Sequence, residues 1–399
     1  MVDKRMSGFT ERWFAMVVLV LMVVSANAFL VDLTLVEDAV AKGAVCLDGS
    51  PPGYHLSRGF GSGVNNWLVH FEGGSWCNNV TTCSARTKTR LGSSKYMIKQ
   101  VDFSGLLGNN KARNPDFYNW NRIKVRYCDG ASFTGDVEAV NPVDKLYFRG
   151  QRVFKAVIGD LMAKGMINAQ QAVISGCSAG GLTSILHCDN FRALMPKTTK
   201  VKCLADAGFF IDVKDVSGAY HIRSFFNEVA TLQQSVKNLP LACTEKLGTQ
   251  CFFPQYLLPY IQTPLFLLNA GYDSWQIKNI VAPGVADPHG LWHNCKLDIK
   301  KCSPNQLETM QGFRLEMLNA LKIFQNSASG GMFINSCYAH CQSEMQETWL
   351  ANDSPKLNGL SIAEAVQNWY FGQGIVKETD CPYPCDSTCH NRVFTPKEY

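Results

Sequence analysis

Charge is scarce in this sequence. Only 18% of its 399 residues are Asp, Glu, Lys or Arg, and 38 basic side chains barely outnumber 33 acidic ones, a net charge of +5. With 46% apolar residues the chain is no disordered polyelectrolyte, because it can bury a sizeable core. So small a balance names no partner, and nucleic acid is not expected. Short repeats are missing, which excludes collagen-like and low-complexity classes. No linker rich in Pro, Gly or Ser divides the chain, and beyond residue 24 no hydrophobic run approaches the ~20 residues of a membrane span. Nor does any cysteine run have zinc-ribbon spacing, and no metal or cofactor is expected.

Cysteine, by contrast, is plentiful. Sixteen cysteines run from Cys46 to Cys389, an even number that points to disulfides and an oxidising compartment. The N-terminus agrees. Lys4, Arg5 and Arg12 precede an apolar run over 13–24, and Ala26-Asn27-Ala28 is a small-residue cleavage site. Residues 1–28 are therefore expected to be a secretory signal, leaving 29–399 as a single catalytic domain, secreted and free of the membrane. Asn79-Val80-Thr81 and Asn352-Asp353-Ser354 are glycosylation sequons, the second followed directly by Pro355.

Along the chain, short β-rich runs alternate with glycine-containing loops and helical patterns. The expected strands are 67–71, 122–127, 172–174, 201–205, 264–269 and 331–335; helices are expected over 148–164 and 179–188. Another helix starts near Ser303, where Ser303 can cap, Pro304 fits the first turn and Gln306 completes a capping box. Strands alternating with helices predict an α/β fold, a mainly parallel sheet with helices on both faces. The stretch 209–262 breaks that rhythm and reads as an inserted, cap-like region.

Gly176-Cys177-Ser178-Ala179-Gly180 places a serine between glycines at a strand-to-helix turn, where strained backbone exposes a nucleophile. A serine hydroxyl needs a base and an orienting acid. Asp273 follows the most apolar strand candidate and His340 follows the strand 331–335, so Ser178, Asp273 and His340 stand in the order of an α/β-hydrolase triad. His289 and His293 also follow Asp273 and remain rivals. Paired glycines at Gly73-Gly74, after the first strong strand, can aim backbone N–H groups at an oxyanion together with the amide of Ala179. Trp76, Tyr127, Phe133 and Trp275 could stack on sugar rings or simply pack, and Arg126 or Arg149 could meet a carboxylate or pair within the fold.

The blocks Glu72-Gly73-Gly74-Ser75-Trp76-Cys77, Arg126-Tyr127-Cys128-Asp129-Gly130, Ser175-Gly176-Cys177-Ser178-Ala179-Gly180-Gly181, Asn269-Ala270-Gly271-Tyr272-Asp273-Ser274-Trp275-Gln276 and Cys337-Tyr338-Ala339-His340-Cys341-Gln342 together resemble plant pectin acetylesterases, relatives of the animal carboxylesterase Notum. The resemblance spans about Gly43 to Cys389. It implies an α/β-hydrolase fold and hydrolysis of acetyl esters on pectin in the cell wall. Ser178, Asp273 and His340 are then catalytic, and the amides of Gly74, Ser75 and Ala179 form the oxyanion hole. A monomer acting on acetylated pectin is expected. The alternative is a Notum-like carboxylesterase removing a lipid acyl group from protein. A different acetylesterase fold, built on Gly-Asp-Ser near the N-terminus, finds no such motif here. Whether Cys177, beside the nucleophile, is bonded stays open at this level.

Overall fold

A computed structural model describes residues 29–140 and 142–395. The expected signal segment 1–28 lies outside them. One ten-stranded sheet forms the frame. Its strands are β1 (Leu30–Leu35), β2 (Gly53–Ser57), β3 (Asn66–Phe71), β4 (Gln100–Asp102), β5 (Asn121–Val125), β6 (Gln171–Cys177), β7 (Lys200–Asp206), β8 (Leu265–Ala270), β9 (Gly331–Asn335) and β10 (Lys377–Thr379). In space they run β10-β9-β8-β7-β6-β3-β5-β2-β1-β4. The seven from β10 to β5 are parallel, and β2, β1 and β4 extend the sheet antiparallel.

The central parallel strands are largely buried, with apolar runs such as Leu265–Leu268, because helices cover both faces. Successive residues point to opposite sides, so Val69, Ile174, Leu267 and Met332 join one core while Leu68, Val173, Phe266 and Phe333 join the other. Against the first face lie α2 (Gly150–Ala163), α3 (Ala179–Leu186) and α5 (Pro304–Ala320), and against the second lies α6 (Ile362–Phe371). Helix α5 begins as its sequence dictates, with Ser303 and Gln306 in a reciprocal capping box and Pro304 in the first turn. Met310, Phe313 and Met317 bury its apolar stripe. This is the expected three-layer α/β arrangement.

Three local expectations shift. The strand placed at 122–127 ends at Val125, so Arg126 lies just past it, where Tyr127 N–H turns aside to Glu72 (3.1 Å). The helix expected to reach Cys188 stops at Leu186, and a new helix, Cys188–Leu194, starts after His187. The antiparallel extension was not expected. The stretch 209–262 is a helical excursion between β7 and β8, containing α4 (His221–Leu232) and a Cys243–Cys251 disulfide.

Candidate active site

Strand order reverses between β3 and β6, the crevice where open parallel sheets place their chemistry. Strand β6 ends in Cys177, and Ser178 follows at φ 58° and ψ −124° before α3 begins at Ala179. A non-glycine residue there is strained, on the order of 1–3 kcal/mol, and the surrounding packing holds it. The neighbouring glycines are steric necessities. A Cβ on Gly180 would lie 2.0 Å from the Phe71 carbonyl oxygen, and one on Gly176 would lie 2.2 Å from that of Gly180. Ser178 N–H donates to the Asp206 carbonyl (2.9 Å), which fixes the elbow to β7.

Asp273 lies three residues past β8 and is fully buried. Its Oδ1 accepts the Gln276 amide (2.9 Å), and its Oδ2 accepts His340 Nδ1–H (2.8 Å). That bond leaves Nε2 as the reactive nitrogen, and Nε2 has no hydrogen-bond partner among the described residues. His340 is 17% exposed, against 0% for Asp273. Cys177 is bonded to Cys341, with Cα atoms 5.5 Å apart, and a His340 ring nitrogen lies within 4.8 Å of the Cys177 sulfur. The neighbour of the serine is thus tied to the neighbour of the histidine. The cysteines form eight disulfides, which answers the open question about Cys177. The rivals His289 and His293 are exposed, and both Asp273 oxygens are already engaged elsewhere.

The glycine turn after β3 presses against the elbow. A Cβ on Gly73 would lie 2.6 Å from the Cys177 carbonyl oxygen and 2.7 Å from Ser178 Cβ. Arg86, at the end of α1 (Val80–Arg86), donates to the Gly74 carbonyl (2.8 Å) and the Leu91 carbonyl (2.9 Å), and lies 5.0 Å over the Tyr127 ring. In a trans peptide the C=O and the following N–H point oppositely. Holding the Gly74 carbonyl therefore turns the Ser75 N–H away from Arg86. Helix α1 is itself secured by the Asn79 capping box and the Cys77–Cys83 disulfide. At Ala179, the carbonyl accepts Ser132 Oγ (2.8 Å), and Ser132 Oγ in turn accepts Trp76 Nε1–H (2.7 Å).

Trp76 is buried edge-on among Phe210 (4.9 Å), Phe226 (4.8 Å) and Trp275 (5.6 Å). Tyr127 and Phe133 are also buried. Of the four aromatic candidates, Trp275 is the half-buried one. It lines a hollow of about 510 Å³ together with Ser75, Asn78, Phe225 and Glu228. The arginine candidates pair within the fold. Arg126 is buried against Glu72 (3.1 Å) and Arg149 against Glu138 (3.2 Å), because a charge taken out of water needs an opposite partner.

A family model described as Pectinacetylesterase matches residues 24–390. The chain belongs to the pectinacetylesterase family. Pectin acetylesterase 7 of Arabidopsis thaliana is 54% identical over 386 residues, 96% of this chain and 98% of its own length. Pectin acetylesterase 11 of the same plant is 52% identical with the same coverage. More distant is the palmitoleoyl-protein carboxylesterase notum1a of Danio rerio, 26% identical over 86% of this chain and 70% of its own. Among solved structures, the Wnt deacylase Notum from Drosophila superposes with a TM-score of 0.75 at 21% identity, covering 90% of this chain and 99% of its own. That likeness shows a shared fold.

Three residues that hold this candidate site escaped sequence reading: Arg86, Ser132 and Asp206. Asp206 ends β7 much as Asp273 follows β8, so strand-end logic could have flagged it. Nothing local marks the other two. Of the sequons, Asn79 is exposed and caps α1, whereas Asn352 is exposed but Ser354 is buried with its hydroxyl on the Ala351 carbonyl (3.0 Å).

Proposed function

We propose that this chain is a secreted serine carboxylesterase that hydrolyses acetyl esters of pectin, with Ser178 as nucleophile, His340 as base and Asp273 as orienting acid. The observation that carries the reading is His340, bound through Nδ1 to a buried carboxylate with Nε2 unpartnered among the described residues, and with a ring nitrogen within 4.8 Å of the sulfur of Cys177, the residue preceding Ser178. Ser178 Oγ attacks the acetyl carbonyl carbon as Nε2 takes its proton, and Asp273 stabilises the imidazolium. The tetrahedral oxyanion accepts hydrogen bonds from the amides of Gly74, Ser75 and Ala179. As the intermediate collapses, the sugar oxygen leaves with the His340 proton. Water, deprotonated by the same nitrogen, then attacks the acyl-enzyme and releases acetate. No step calls for a metal or cofactor.

Three features support the acetyl assignment. The Arabidopsis relatives described above are named pectin acetylesterases and align over almost their full length. Trp76, next to Ser75, is packed among Phe210, Phe226 and Trp275, and we take this cluster to limit the acyl pocket, which favours a small acyl group over the lipid-removing alternative. The hollow combines an aromatic face with polar side chains, the chemistry that meets sugar rings. In this reading 209–262 acts as a cap, with α4 as one wall. The 1–28 segment and the disulfides support export to the cell wall, and among the described residues no helix is long and apolar enough to cross a membrane. We take the exported chain to act as a monomer, glycosylated at Asn79.

The test is acetate release from acetylated pectin by wild type and Ser178→Ala, with fluorophosphonate labelling in parallel. Loss of both acetate and label in the variant is expected. Acetate release by Ser178→Ala at the wild-type rate would sink the assignment.

A further inference from the structure

We propose that Asp206 is a positioning residue for the reaction, one residue whose backbone holds the serine elbow and whose carboxylate holds the histidine loop, so that it sets the spacing between them. The inference rests on the proposed roles of Ser178 and His340. Asp206 is the last residue of β7, paired in register with Cys177 at the end of β6. Its carbonyl accepts the Ser178 N–H (2.9 Å). Its carboxylate Oδ2 accepts both the N–H and the hydroxyl of Ser343, each at 2.6 Å. Ser343 lies three residues after His340, so Asp206 touches both loops through different groups.

The rest of the histidine loop is pinned around that contact. Gln342 Oε1 accepts Asn335 Nδ2–H (2.7 Å), and Glu344 pairs with Lys124 (2.5 Å) and His70 (3.3 Å). His70 in turn bonds Ser175 on β6 (2.8 Å). Each of these partners anchors the loop to the sheet, but Asp206 is the one whose own backbone also holds the nucleophile. Its carboxyl is fully buried, and burial pushes it up to about 6. Above that pH it is an acceptor only, which matches the two donors converging on Oδ2. The Cys177–Cys341 bridge makes a second link between the same loops, one residue from each proposed catalytic group.

Two loops held at fixed spacing matter because a displacement of about 1 Å between reacting groups can cost ~10²-fold in rate. The experiment measures kcat and KM on p-nitrophenyl acetate, a substrate too small to use polymer contacts. Asp206→Ala is expected to lose ~10–10²-fold in kcat with KM within about threefold. Asp206→Asn, whose amide oxygen can accept the same two Ser343 bonds, should recover the rate to within about fivefold of wild type. Should Asp206→Ala fail to fold, Ser343→Ala decides; it removes only the hydroxyl bond and should lose about three- to tenfold in kcat. Wild-type kcat in folded Asp206→Ala or in Ser343→Ala overturns the proposal. So does an Asp206→Asn as slow as Asp206→Ala, which would assign the effect to charge rather than position. Ser178→Ala serves as the separate control: if it stays active, the reading of the site has failed, whatever Asp206 does.

Discussion

Substituting Gly73 by alanine tests the approach of the glycine turn to the serine elbow. The added methyl would meet the Cys177 carbonyl oxygen at 2.6 Å and Ser178 Cβ at 2.7 Å, where ordinary contact begins at 3.4 Å. Neither neighbour can yield cheaply. Cys177 is the last residue of a buried strand and is bonded to Cys341, and Ser178 is held by the Asp206 carbonyl. The turn itself must therefore retreat, by about 0.8 Å, and it takes the Gly74 and Ser75 amides with it. Losing one oxyanion donor costs ~10²–10³ in rate, and a shift of that size costs ~10² by misplacement alone. We expect kcat for acetate release to fall ~10²-fold, about 2.7 kcal/mol, with KM little changed because the oxyanion forms only in the transition state. Kinetics on p-nitrophenyl acetate, with circular dichroism to verify the fold, measure it. A folded Gly73→Ala retaining kcat within threefold would refute the argument that this turn supplies the oxyanion donors.

Removing the charge that orients the base should be more severe: Asp273→Asn is expected to lower kcat by ~10³–10⁴ with an intact fold, and a loss under tenfold would count against the triad. Arg86→Met removes the donor that holds the Gly74 carbonyl, so a loss of ~10–10² in kcat is expected, partly restored in Arg86→Lys. An unchanged kcat in Arg86→Met would show that the turn aims its amides unaided. The buried His187 supplies a pH test of stability. Burial lowers its pKa to about 4, while its Nε2–H donates to the Phe133 carbonyl (3.0 Å) and its ring stacks on Phe154 (4.1 Å). The unfolded chain takes up that proton as pH falls through 6.5 and the folded chain does not, so stability is lost between about 6.5 and 4, on the order of 3 kcal/mol from this group. Urea midpoints across that range should fall less steeply in His187→Gln, and an identical slope would reject the assignment.

The central strands were legible because their burial on both faces writes a continuous apolar run, as in Leu265–Leu268. The edges were not. β1 and β4 are partly exposed and polar in places, and β4 is three residues long, so neither carries a pattern distinguishable from loop. The candidate triad could be read because each member follows a strand that announces itself. The groups that hold it could not. Arg86 reads as the end of a short polar helix, and its hold on Gly74 depends on a turn formed by a different strand. Asp206 is separated from Ser343 by 137 residues. The pairing of Cys177 with Cys341 spans 164 residues, a choice that sequence could pose and only three-dimensional proximity could answer.

In our reading, acyl-group size is set outside the sheet. The fold shared with the Wnt deacylase Notum does not determine how much room lies beside the reacting groups. We assign the limit on that room to Trp76, one residue past the proposed oxyanion turn. Its ring is buried against Phe210, Phe226 and Trp275, and its Nε1–H is committed to Ser132, whose Oγ donates to the carbonyl of Ala179. The indole cannot swing aside for a longer chain without breaking that hydrogen bond and opening a void in the aromatic cluster. Either change would disturb the backbone at the start of α3, where a proposed oxyanion donor sits. On that assignment, exclusion of large acyl groups and alignment of the proposed oxyanion amides are linked through one side chain.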